Sequence, residues 1–319
     1  MKTKTRGVIM GNLQLISAAL IMIGAYGCVF GEGASKATGN NSQESAGVVK
    51  LSTSAYNIDD EMMAYYNNLN DFDKKYFNGL SKDEKILFML DDEVTLNKSF
   101  INMAIPVLIK DIRRRIKEDD LPSKEGEDYT FRTLGGLLGD LRIFNLFLEI
   151  IETCKSEEGV SAAISAIVGP TQNISNRNEQ IAKTIKTVLD PSRKLYSARL
   201  HASGVLYRWG YKDEAYPVYK EIAQLERLDD TDKYLGWGLI SYYKGLIESK
   251  YHSEAERKSS LDKFNSERES LILSCMENIV NSGNKDIIKI LHKISVKGAT
   301  DKIKAKALEY IALKEKKGK

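Results

Sequence analysis

Cys28 is the residue of this chain best placed to do chemistry, because a thiol there can take a diacylglyceryl group. It follows Gly24-Ala25-Tyr26-Gly27, with small residues at the first and third positions before a cut. Ahead of these stand Lys2, Lys4 and Arg6 and a mostly apolar stretch from Val8 to Ile23. A basic end, an apolar run and small residues before the cut make a bacterial secretory signal, and a cysteine directly after it predicts lipid processing. Ala25 stands where leucine is usual, and Tyr26 where a small residue is commoner. Asn12 and Gln14 interrupt the apolar stretch and leave Leu13 to Gly24 as its core, short for a membrane span. Ordinary cleavage before Cys28 and an uncleaved anchor stay open beside the lipid-anchored reading.

Two further groups have the chemistry of contact rather than catalysis. Lys110-Asp111-Ile112-Arg113-Arg114-Arg115-Ile116-Lys117 is the densest basic run, and Arg113, Arg114 and Arg115 are candidates for touching a polyanion. The competing expectation is a solvated helix face, since Glu118, Asp119 and Asp120 follow at once. Trp209 and Trp237 lead an aromatic group with Tyr207, Tyr211, Tyr216, Tyr219, Tyr234, Tyr242 and Tyr243. Such residues fill grooves between helices, and any that stay exposed are anchors for a protein partner.

No catalytic residue, cofactor or metal is expected. His201, His252 and His292 are far apart, and none has a second ligand one helical turn away. Gly135-Gly136-Leu137-Leu138-Gly139 has no strand before it and no Lys-Ser/Thr after it, so it predicts close helix packing rather than a phosphate loop. Asp71-Phe72-Asp73 lacks the third acidic ligand and the central glycine of a calcium loop. Removing Lys2, Lys4 and Arg6 with the signal leaves 44 basic against 44 acidic residues. That balance argues against nucleic acid as the main partner. Cys154 and Cys275 both sit in apolar helical runs, which favours buried free thiols over a disulfide.

The elements that carry these residues read as helices nearly throughout, so an all-α bundle or stacked helical hairpins is expected. Residues 1–27 are the signal and 28–49 the lipidated cysteine and a polar tether, too poor in apolar residues to order itself. An N-terminal helical region follows over 50–158, a loop or hinge over 159–178, and a helical-hairpin region over 179–319.

In the first region, Met62, Tyr66, Leu69, Tyr76 and Leu80 share one helical face, and Gly79 ends that helix. Ser81 and Glu84 form a capping box. Ile105, Ile109, Ile112 and Ile116 recur at four-residue steps. Phe131 to Cys154 is the most apolar helix, with Arg142, Asn145, Glu149 and Glu152 as its one polar stripe. The hinge is expected because 159–178 is rich in small residues and contains Gly169-Pro170.

Beyond it, Trp209-Gly210-Tyr211 through Ala215 to Tyr219 resembles the turn and second helix of a tetratricopeptide repeat, with a fainter echo at Tyr251 to Ala255. The two alanines are 40 residues apart, which departs from that repeat.

The relaxed lipid-attachment sequence Ala25-Tyr26-Gly27-Cys28, the Gly/Ser/Asn-rich tether and the Lys-, Ile- and Leu-rich helices resemble spirochaetal, Borrelia-type surface lipoproteins. Leu80-Ser81-Lys82-Asp83-Glu84, with Tyr129-Thr130-Phe131 and Leu134-Gly135, is similar to a helical domain of plasmid-encoded members. The resemblance implies a bilayer contact through acyl chains such as palmitate on Cys28 and display on the outer membrane. It also implies a role in host or vector interaction, or in immune evasion. A periplasmic helical-repeat scaffold for other envelope proteins is the alternative.

Overall fold

The computed structural model describes residues 58–91, 98–121, 137, 140–171 and 175–317. The chain divides into units Met1–Tyr56 and Asn57–Lys319, and every described residue belongs to the second. The expected signal, Cys28 and the expected tether lie outside the described residues.

Among the described residues there are thirteen α-helices, two short 3-10 helices and no strand, so the protein is all-α. In chain order the helices are α1 Ile58–Asn68, α2 Asp71–Gly79, α3 Lys82–Asp91, α4 Lys98–Glu118, α5 Leu141–Thr153, α6 Glu157–Thr171 and α7 Ser175–Val188. Then come α8 Tyr196–Arg208, α9 Lys212–Ala223, α10 Trp237–Glu248, α11 Glu254–Asn281, α12 Ile287–Lys297 and α13 Asp301–Lys317.

The single helix expected around Met62 to Leu80 is two. Asn70 breaks it: its backbone is extended and its side chain accepts from the Asp73 amide, which starts α2 afresh. The break turns Tyr65 and Phe77 inward, whereas Tyr76 is left exposed. The capping box at α3 forms as read, Ser81 Oγ accepting from the Glu84 amide and Glu84 accepting from that of Ser81. On α4, Ile105 and Ile112 are buried, with Ile109 and Ile116 packed partly against the same core.

α5 is the central helix, buried along Ile143, Phe144, Leu146, Phe147, Leu148, Ile150 and Ile151. Arg142, Asn145 and Glu152 form its solvent side as expected, with Glu149 half-buried. It starts at Leu141 rather than near Phe131, because Asp140 is extended and caps it by accepting from the Arg142 amide. Residues 131–136 lie outside the described residues.

The expected loop over 159–178 is mostly helix. α6 runs through Gly159 to Thr171, and Val160, Ala163, Ile164, Ile167 and Val168 are buried on one face. The small residues serve close approach instead of flexibility. A Cβ on Gly159 would lie 2.6 Å from the Leu121 carbonyl oxygen and 3.1 Å from Cys154 Sγ. Cys154 and Cys275 are both buried and free, and burial pushes both thiols up.

Two hydrophobic cores result, one from Ile105 to Leu206 and one from Ala215 to Ile311. They divide inside the hairpin of α8 and α9. Gly210 makes that turn at φ +90, and the Tyr211 amide reaches back to the Leu206 carbonyl, as at a left-handed helix end. Tyr207 and Tyr219 meet edge to face across the pair, 5.7 Å between centroids. Ala215 is fully buried at the crossing, and Leu there should strain or part the helices at about 1–3 kcal/mol. We expect Ala215→Leu to lower the melting temperature, with Lys212→Leu on the exposed turn close to neutral. Equal melting of the two variants would contradict the crossing.

Short connections also pair α10 with α11 and α12 with α13. The echo at Tyr251 to Ala255 is no second copy of the motif. Ser253 caps α11 with Glu256, but Ala255 is exposed and meets no crossing helix.

Candidate functional site

Two charged side chains of the interior hold helix ends. Arg193 donates to the carbonyls of Ile151 at 2.9 Å and Cys154 at 3.0 Å, at the end of α5. Glu157 accepts from the amides of Tyr196 at 2.8 Å and Ser197 at 3.0 Å, at the start of α8. Each charge faces the helix pole that attracts it, so two caps missing from the local sequence are supplied from elsewhere.

Farther along, Arg199, almost wholly buried, donates to the Leu189 carbonyl and to Glu221, which also accepts from Tyr234. Burial raises the Glu221 carboxyl, but the bonds from Tyr234 and Arg199 outweigh it and hold the group below its usual range. Asp286 accepts from Lys220 at 2.6 Å and from Tyr216, and these bonds hold its carboxyl low as well. A depressed carboxyl contributes stability above its unfolded range that is lost as pH falls through the folded value. These knots are structural ties between helices, although Arg199 Nη1 is buried without a hydrogen-bond partner.

His201 is a different case. Burial, with Arg208 adding, pushes its imidazole down to about 4, so it is neutral at physiological pH. Among the described residues no cluster of three metal-ligating side chains forms.

The arginine run is paired with nearby carboxylates, while Arg113 and Arg114 stay exposed. Arg113 makes a bidentate pair with Glu149 of α5, and Arg114 bridges Asp111 at 2.6 Å and Glu118 at 2.5 Å. Arg115 is nearly buried and donates to the Asp120 carbonyl. Trp209 packs partly against the first core at the end of α8. Trp237 faces solvent, as Arg113 and Arg114 do, and is 69% exposed at the first position of α10.

α10 differs from the other hairpin helices. Its sequence WGLISYYKGLIE is apolar nearly all round, yet none of its residues is buried. Leu239, Ile240, Tyr243 and Ile247 lean on the second core, where Tyr243 stacks on Phe264 of α11 at 5.0 Å and 18°. The opposite side shows Trp237 and Tyr242, the latter 50% exposed, with Gly238 and Gly245 open to space between and beside them. Tyr251, in the turn that follows, is exposed as well. Two exposed aromatics flanking a strip of Gly238, Ser241, Gly245 and Glu248 have the composition of a protein contact surface.

Among the described residues no helix is long and apolar enough to cross a membrane. Compared with family models, curated proteins and solved structures, the chain matches none.

Proposed function

We propose that this chain is a lipid-anchored protein of the bacterial envelope, tethered through acylated Cys28 and displayed on the outer membrane. There it acts by binding a host or vector macromolecule or in immune evasion, without catalysis of its own. The observation that supports a binding role is α10, whose Trp237 and Tyr242 stay in water although neither is needed by the core beneath. Large aromatics held rigidly on a helix are the residue types that dominate the energy of protein contacts.

Protease added to intact cells should degrade the protein while a periplasmic control survives. Survival until the outer membrane is opened would instead favour the scaffold reading, which the three helical hairpins between Tyr196 and Lys317 support. On the displayed protein, Trp237→Glu with Tyr242→Glu should reduce partner binding at least tenfold with the helical spectrum unchanged, as about 1.4 kcal/mol per decade makes a modest demand on two aromatic anchors.

A further inference from the structure

Charge is unevenly spread along the folded unit. Residues 285–319 hold eleven lysines against four acidic side chains, a net +7, whereas 57–284 carry 31 basic and 38 acidic residues, a net −7. Within the basic end, Lys289, Lys293 and Lys297 follow one another at four-residue steps, so they lie in one row along α12, and Lys285 stands in the turn just ahead of it. All four are exposed, with His292 and the 74% exposed Val296 beside them. α12 itself contains no acidic residue. Asp286, at its start, is turned away to Lys220 and Tyr216. Among the described residues no carboxylate pairs with Lys285, Lys289 or Lys293, and Lys297 meets Glu226 only at 3.4 Å. The lysines of α13 differ, since Lys302 and Lys306 are tied to Glu269 and Glu309.

From this row of uncompensated lysines we infer that the outer face of α12 is a docking surface for the anionic phosphate headgroups of a phospholipid bilayer. A straight row of flexible ammonium groups fits a planar array of phosphates. Val296 adds an apolar side chain among them that can enter the headgroup layer. The row has no tryptophan, tyrosine or phenylalanine on which a nucleic-acid base would stack. Each lysine near an anionic surface strengthens attachment by about fivefold, which is weak alone and sufficient once a tether supplies a high local concentration. The inference rests on the lipid-anchored reading for that tether and on nothing else in it.

The test uses the mature chain with Cys28→Ser, so that attachment cannot come from acyl chains. It should sediment with vesicles of phosphatidylglycerol and phosphatidylcholine in equal parts, fail to do so with phosphatidylcholine alone, and be released by high salt. Lys285→Gln, Lys289→Gln and Lys293→Gln together should weaken it by about a hundredfold. Lys155→Gln, Lys258→Gln and Lys263→Gln, also exposed but elsewhere, should leave it unchanged. Equal loss in both triple variants, or attachment to neutral vesicles, would overturn the inference. So would a heparin oligosaccharide or a DNA duplex that displaces the chain at lower phosphate or sulfate concentration than the vesicles supply. A wild-type chain that lacks acyl groups would leave this result intact while removing the anchor, so the two failures are separable.

Discussion

Arg268→Ala should destabilise the fold by about 3 kcal/mol and lower the melting temperature by about 6–10 °C. The guanidinium, 9% exposed, donates to both carboxylate oxygens of Asp232 at 2.8 Å and to Asp229 at 2.8 Å and Asn265 at 3.0 Å. It also lies over the Phe264 ring, 4.0 Å from its centroid, and Phe264 in turn supports Tyr243 of α10. One side chain therefore joins α11 to the 3-10 turn Leu228–Tyr234 and steadies the exposed helix.

The pair itself adds little net stability, because burying the charges costs nearly what their attraction returns. Removing one partner is costly for another reason: Asp232, 26% exposed, would keep its charge with nothing to meet it. Arg268→Lys should recover only part of the loss, since a point ammonium cannot match the two-pronged bond. Asp229→Asn, at a group 65% exposed, should change stability by less than about 1 kcal/mol. Thermal unfolding of the three variants checks this, and a loss at Asp229 equal to that at Arg268 would contradict the assignment.

Periodicity made the helices legible from sequence wherever a buried face repeats, as on α4 and α5, because only the 3.6-residue turn brings Ile105 and Ile112 to one side. It was less informative about ends. Asn70 and Asp140 start helices through a side-chain bond to an amide two or three residues on, and the same residue types occur harmlessly elsewhere on helix surfaces. Gly159 and its small neighbours misled for a physical reason. A residue without a side chain suits a loop and a tight helix contact equally, and only the position of Leu121 and Cys154 tells them apart. Trp209 and Trp237 look alike in sequence, yet one is covered by the first core and the other is not. Caps supplied over long separations, such as Arg193 on α5 and Glu157 on α8, leave no local trace at all. The lysine row of α12 was readable by its spacing, but the balance of charge over the whole chain hid it.

The second large effect concerns the membrane. Cys28→Ser should abolish incorporation of labelled fatty acid and move the mature protein from the detergent phase to the aqueous phase. Acyl chains contribute about 0.8 kcal/mol per buried methylene, so one chain holds only marginally and several on one cysteine hold firmly. The apolar core Leu13 to Gly24 is too short and too close to polar residues to replace them.

The most direct measurement is phase partition of the wild-type and Cys28→Ser proteins after growth with labelled palmitate. The account predicts label and detergent-phase recovery for the wild type, and neither for the variant. A variant that is still cleaved after Gly27 and partitions as the wild type does would show that the anchor is not on Cys28.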